Sequence, residues 1–241
     1  MKTQKGIKNR SFFLLISFLF LTSLLSIKTL KKVDPQHIRI FGSEFFTQND
    51  VANNSSLNFP IRLIFIETNL LEKELKKNLS LKNVSVNREL FPFGLKVHIN
   101  SRIPIAYGER ILNDEKILGF IDKDGIFISK QNVDEKNLNK LTIQVFGWKE
   151  KFKQILSEIF IAIENYELEI VKITFSSDGF LTIEEKDLRT IFLGFKPNLI
   201  NYQFQKINNL KNEFKKNSFS KKLDNIDLTN PDKPKIKVFK P

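Results

Sequence analysis

From Phe12 to Ile27 the chain reads "FFLLISFLFLTSLLSI", with no charged residue. A run this apolar has to leave water. As a helix it spans roughly 24 Å at about 1.5 Å per residue, slightly short of the ~30 Å hydrocarbon core of a bilayer. Lys2, Lys5, Lys8 and Arg10 lie behind it. A cleaved signal peptide needs small residues at the −3 and −1 positions of its cleavage site. Ser26 at −1 would put Leu24 at −3, which is too large. A signal anchor needs only the apolar span and the basic residues before it, and this reading is favoured. Lys28, Lys31 and Lys32 beyond the span weaken the positive-inside bias. A large folded domain after a single N-terminal span nevertheless translocates largely regardless of charge. The expected organisation begins with a cytoplasmic basic tail at 1–11 and a transmembrane signal anchor at 12–30. Everything after about residue 30 lies outside.

Beyond the span the pattern alternates between strand and helix. In "HIRIFG", Ile38 and Ile40 face inward and Gly42 stops the run. The polar stretch that follows reads as a loop, or as a short helix around Asn49 to Val51. "ETNLLEKELKKNLSL" is a helix with Leu71, Leu75 and Leu79 on one face and Lys73, Lys76 and Lys77 outside. Asn69 followed by Glu72 has the spacing of a capping box. "NVSVNREL" then alternates, and "RELFPFGLKVHINSRIPIAYGER" is the most patterned stretch of all. Leu95, Val97 and Ile99 alternate there with Lys96, His98 and Asn100, the two-residue period of a strand with one dry face. Pro92 precedes the alternation and Pro104 closes it, since proline cannot donate to a ladder.

The second half is built differently. "IAYGERILNDEKILGFIDKDGIFIS" is hairpin-like, with turn residues at Asn113-Asp114 and Asp124-Gly125. "WKEKFKQILSEIFIAIENY" puts Trp148, Phe152, Ile155, Leu156, Ile159, Phe160 and Ile163 on one helical stripe. "LEIVKITF", "GFLTIEE" and "LRTIFLG" are successive strands. After Pro197 a second helix turns Ile200, Phe204, Ile207 and Phe214 inward. "KKLDNIDLT", the turn "NPDKP" and the short strand "KIKVF" close the chain.

Little in this sequence suggests catalysis. The two histidines, His37 and His98, have no third group spaced to orient them. "IDKDG" resembles the start of a calcium loop, but "IFIS" follows where oxygen ligands belong, so it reads as a hairpin turn. Glu184, Glu185 and Asp187 read as a solvated turn between strands. The absence of cysteine excludes disulfides, CxxC redox pairs and thiolate metal sites. The net charge of +12 accompanies abundant Lys, Asn, Ile and Phe, as A/T-rich codon usage would produce. A nucleic-acid surface would interleave basic residues with exposed aromatics, whereas most Phe residues here fall at core spacing. The expectation is a non-enzyme with no catalytic residue, cofactor, metal or nucleic-acid partner.

The order of these elements resembles the FtsQ/DivIB family of bacterial division proteins. "IRIFGSEFFTQNDV" is similar to that family's opening strand, glycine and small polar residue before a helix. "VSVNRELFPFGLKVHINSRIPIA" is similar to its closing hairpin, through Arg88, Pro92, Leu95, Arg102, Pro104 and Ala106. "GFIDKDGIFIS" resembles the hairpin opening its second domain, and "LRTIFLG", a helix and "IDL" complete the order. Ser101 departs from the pattern, which usually has glutamate before that arginine. The Lys-rich last strand is a second departure. The resemblance implies an α+β protein: the single transmembrane helix, then a β-α-α-β-β POTRA domain at 33–103. A β domain at 104–241 follows, a mixed α/β unit with a largely antiparallel sheet and an exposed C-terminal edge strand. Arg102 and Pro104 mark the junction.

The resemblance also implies a role. Proteins of this family are scaffolds at the division septum, single-pass in the inner membrane with their bulk in the periplasm. Their partners are the bitopic coiled-coil proteins FtsB and FtsL and, through them, the septal peptidoglycan synthase complex. An edge strand offers unpaired backbone groups to which a partner segment can add. Candidates for that edge are Asp227, Leu228 and Thr229 with Lys235, Ile236, Lys237, Val238 and Phe239. An edge guarded by lysines against unwanted pairing is an equal reading. Two other classes stay open: a POTRA-type chaperone or export component, and a secreted binding protein with a cleaved signal peptide.

Overall fold

The computed structural model describes residues 12–23, 31–217 except 113, 135, 137, 139 and 140, and 223–239. Residues 12–23 form a helix, α1. Among the described residues no helix is long and apolar enough to cross a membrane. The anchor expected at 12–30 runs on into 24–30, and these residues, like the basic tail 1–11, lie outside the described ones. The chain divides into two compact units, Met1–Ser101 and Arg102–Pro241.

In the first unit, β1 (Lys32–Val33) pairs antiparallel with β3 (Ile61–Arg62). β2 (Ile38–Phe41), β4 (Asn83–Leu90) and β5 (Phe93–Asn100) form a three-stranded sheet in the order β2-β5-β4. β2 runs parallel to β5, a pairing that needs a long crossover; α2 (Gln48–Asn53) and α3 (Thr68–Asn78) lie within it. The stretch left between loop and helix is therefore α2. Thr47 caps it, accepting from the Asp50 N–H while the Asp50 carboxylate accepts from the Thr47 N–H.

The expected cap at Asn69 does not form. α3 starts at Thr68 with Glu67 at the cap position, and Glu72 accepts the Val86 N–H at 2.7 Å instead, tying helix to sheet. Leu71, Leu75 and Leu79 bury against Val86, Leu95, Val97 and Ile99. Gly42 has φ of +84°, and a Cβ there would stand 2.5 Å from the Ile99 carbonyl oxygen.

The second unit is one nine-stranded sheet. In chain order its strands are β6 (Pro104–Leu112), β7 (Glu115–Asp122), β8 (Phe127–Ser129), β9 (Ile143–Trp148) and β10 (Ile170–Phe175). β11 (Leu181–Glu185), β12 (Arg189–Gly194), β13 (Leu223–Asp227) and β14 (Lys235–Val238) complete it. Across the sheet the order is β14-β13-β12-β11-β10-β9-β6-β7-β8. The joints β6–β9, β9–β10 and β12–β13 are parallel and the others antiparallel.

α4 (Lys153–Asn165) carries the chain from β9 to parallel β10, and α5 (Ile200–Asn217) from β12 to parallel β13. Both helices share one core with the sheet: Leu156, Ile159, Phe204 and Ile207 pack with Val145, Ile173, Ile183, Ile191 and Ile226. Two sequence expectations change here. Trp148 ends β9 rather than lying on the helical stripe, and its indole N–H donates to the Gly125 carbonyl at 2.9 Å. Pro104 does not close β5, which stops at Asn100; it opens β6 opposite Asp122, where a first residue needs no ladder donor.

Candidate partner-binding edge

Among the described residues β14 is the outermost strand of the large sheet and pairs on one side only, with β13. All four of its residues are exposed. Ile236 lies opposite Ile226, and Val238 opposite Leu223, both buried core residues. Alternation then puts Ile236 and Val238 on the helix-bearing side of the sheet and Lys235 and Lys237 on the other. Ile236 is 41% exposed, Val238 40% and Phe239 49%. The strand thus offers an open row of backbone groups, one apolar flank and one cationic flank. Lys237 meets Asp224 across the strands at 3.3 Å, and the Arg189 guanidinium lies 5.1 Å from the Phe239 ring centroid.

The opposite margin differs. β8 has three residues, Phe127 and Ile128 are buried, and a 3-10 turn follows at once. β14, at four residues, is only one residue longer; what separates the two margins is that its residues are all exposed.

The residues before β14 hold it in place. Asp227, Leu228 and Thr229 are expected on the edge itself, but Asp227 ends β13, the second strand in, and Leu228 and Thr229 follow it. α5 delivers β13 parallel to β12, leaving β14 to cover its other side. Leu228 is fully buried, donates its N–H to the Phe192 carbonyl at 2.8 Å, and accepts from the Gln203 side chain at 2.8 Å. The Asp227 carboxylate accepts the Thr229 hydroxyl at 2.6 Å and the Thr229 N–H at 2.9 Å. Those two bonds hold the Asp227 carboxyl below its ordinary range; partial burial opposes them, and nearby Lys235 adds a further lowering. The Tyr202 hydroxyl donates to Asp232 at 2.7 Å, fixing the turn into β14. These three residues therefore position the edge without presenting backbone to a partner.

Other sequence candidates fall apart spatially or turn out structural. Arg102 opens the second unit with its side chain nearly buried, donating to Asp122 at 2.5 Å and Asp124 at 3.2 Å. Asp122 in turn accepts the N–H groups of Asp124 and Ile126, so the β7–β8 turn is a polar clamp built on Arg102. His37 accepts the Asp34 N–H at 3.0 Å, and His98 stacks on Phe41 with ring centroids 5.1 Å apart. Among the described residues no group of His, Cys, Asp and Glu is arranged to hold a metal ion. The run Glu184–Asp187 is not all solvated: Glu185 is buried and accepts Lys211 at 2.5 Å.

The first unit has the strand-helix-helix-strand-strand order of a POTRA domain. Residues 34–102 match the family model of the POTRA domain, FtsQ-type. The match lies within the first unit apart from its last residue and identifies an FtsQ-type POTRA domain there. Comparison with curated proteins gives no significant match.

Proposed function

We propose that this chain is a membrane-anchored scaffold of the division machinery that recruits and links division proteins at the septum. The open margin at β14 carries the proposal, taken together with the FtsQ-type POTRA domain. The scaffold sits in the inner membrane by one span at 12–30, with its N-terminus in the cytoplasm and both units in the periplasm. Its partners are FtsB/FtsL-like bitopic coiled-coil proteins and, through them, the septal peptidoglycan synthase complex. A partner segment adds to β14 as a further strand. Backbone bonds dock it, and Ile236, Val238 and Phe239 select its side chains. The FtsQ-type family as a whole is non-catalytic, in keeping with a role made of contacts.

Two measurements test this. A fluorescent fusion of the full chain forms a ring at midcell before constriction; uniform envelope fluorescence through the cell cycle refutes the division role. Deleting residues 234–241 abolishes crosslinking to the coiled-coil partner while the ring persists. Undiminished capture by the truncated chain refutes the edge.

A further inference from the structure

One end of the first unit combines exposed apolar side chains with cations. Leu63 and Ile66 are buried and anchor a 3-10 turn, Leu63–Phe65, whose other residues face out: Ile64 is 49% exposed and Phe65 63%. Phe91, at the turn between β4 and β5, is 68% exposed. Hydrogen bonds and ring contacts join these turns into one patch. The Arg88 side chain donates to the Ile66 carbonyl at 3.1 Å, and the Leu63 N–H to the Lys31 carbonyl at 3.4 Å. Lys31 Nζ lies 5.4 Å from the centroid of Phe93, two residues past Phe91. Lys32 stands opposite Arg62 across the β1–β3 pair. Around the patch, Lys31, Lys32, Arg62 and Arg88 are all exposed; the carboxylates nearest in sequence are Asp34, Glu67 and Glu89, the last paired with Arg39.

The chain enters this end directly from the apolar run. Ile27 and Lys31 are four residues apart, and four extended residues reach at most about 14 Å. If residues 12–27 cross a bilayer, the patch stays within about two Debye lengths of the headgroups at physiological salt. Two protruding turns tipped with Phe and ringed by Lys and Arg match what an anionic interface takes up.

We propose that this end of the POTRA unit is a lipid-docking surface. Ile64, Phe65 and Phe91 enter the headgroup layer of an anionic bilayer, and Lys31, Lys32, Arg62 and Arg88 meet its phosphates. The inference rests on the anchored reading of residues 12–27 and adds a second contact, which orients the unit on the membrane.

The chain has no cysteine, so one introduced cysteine carries one spin label. The full chain is placed in nanodiscs containing phosphatidylglycerol, or in discs of phosphatidylcholine alone. Labels at F65C, F91C, N87C and F20C are compared for collision with oxygen and with a water-soluble nickel chelate. In phosphatidylglycerol discs the 65 and 91 labels show oxygen access severalfold above that of 87. The triple variant K31E/K32E/R62E loses that excess. Labels at 65 and 91 as aqueous as 87, in discs where 20 reports hydrocarbon, overturn the docking and leave the anchor standing. A hydrocarbon-free signal at 20 overturns the anchor and, with it, the docking that rests on it. Shielding at 65 that needs an added protein partner assigns the patch to protein and overturns the lipid surface.

Discussion

Lys211 reaches from α5 to the β11–β12 turn, and both it and Glu185 are buried. Glu185 is filled on both oxygens: Oε1 accepts Lys211, and Oε2 accepts the N–H groups of Asp187 at 2.7 Å and Leu188 at 2.9 Å. Removing one partner of a buried pair strands the other charge, so Lys211→Met should cost about 3–5 kcal/mol in urea unfolding. Adding Glu185→Leu should recover only part of that, because two turn amides then lose their acceptor. The pair was legible in principle. Leu181, Ile183 and Glu185 alternate on the inward face of their strand, and Lys211 falls on the helical stripe of Phe204, Ile207 and Phe214. Reading "EEKD" as a charge run hid the periodicity. Asp227 makes a second prediction. Its folded carboxyl lies below the ordinary 3.8, so its contribution is complete above that value and is lost as pH falls through the folded value. The difference in stability between the parent and Asp227→Asn should therefore hold from neutrality to about pH 5 and shrink below 4.

At the scale of elements, alternation found most strands but not β1, β3 or β9, and their order across the sheet escaped it. Pairing is decided by residues far apart in sequence, and the crossover helix α5 is what seats β13 inside and β14 outside. The proline bracketing was ambiguous for the same reason, because Pro104 belongs to a ladder formed with Asp122 rather than to the strand before it. The helix caps depended on a single residue's placement: Thr47 with Asp50 and Asn69 with Glu72 have the same spacing, and only the first is a cap. For β14 the geometry makes a sharp prediction. Along an antiparallel edge strand, successive residues aim their backbone groups alternately at the neighbour and at open solvent. A proline scan over Lys235, Ile236, Lys237 and Val238 should show a two-residue period. Prolines at outward-aimed positions abolish partner crosslinking and leave thermal unfolding nearly unchanged. The intervening prolines lower the unfolding temperature as well, by breaking the pairing with β13. Partner crosslinking that survives prolines at the outward-aimed positions would rule out strand addition as the docking mode.

For the whole molecule, the two units carry separate hydrophobic cores with no residue in common. One gathers Val33, Ile38, Leu71, Leu75, Leu95 and Val97; the other gathers Val145, Trp148, Ile173, Ile183, Phe204 and Ile226. Cores that share no side chains need not melt together, so two-state behaviour is not expected of this chain. The sequence supplies its own reporter, because Trp148 is the sole tryptophan and sits in the second core. Its fluorescence follows that unit alone, while far-ultraviolet circular dichroism follows both. Leu75→Ala removes a fully buried side chain from the first core and should cost about 2–5 kcal/mol. That loss should move part of the dichroism transition to lower urea and leave the Trp148 transition in place. Ile183→Ala, equally buried in the second core, should move the fluorescence transition by a similar amount and spare the early part of the dichroism curve. Coincident shifts of both signals in either variant would mean that the units unfold as one cooperative body.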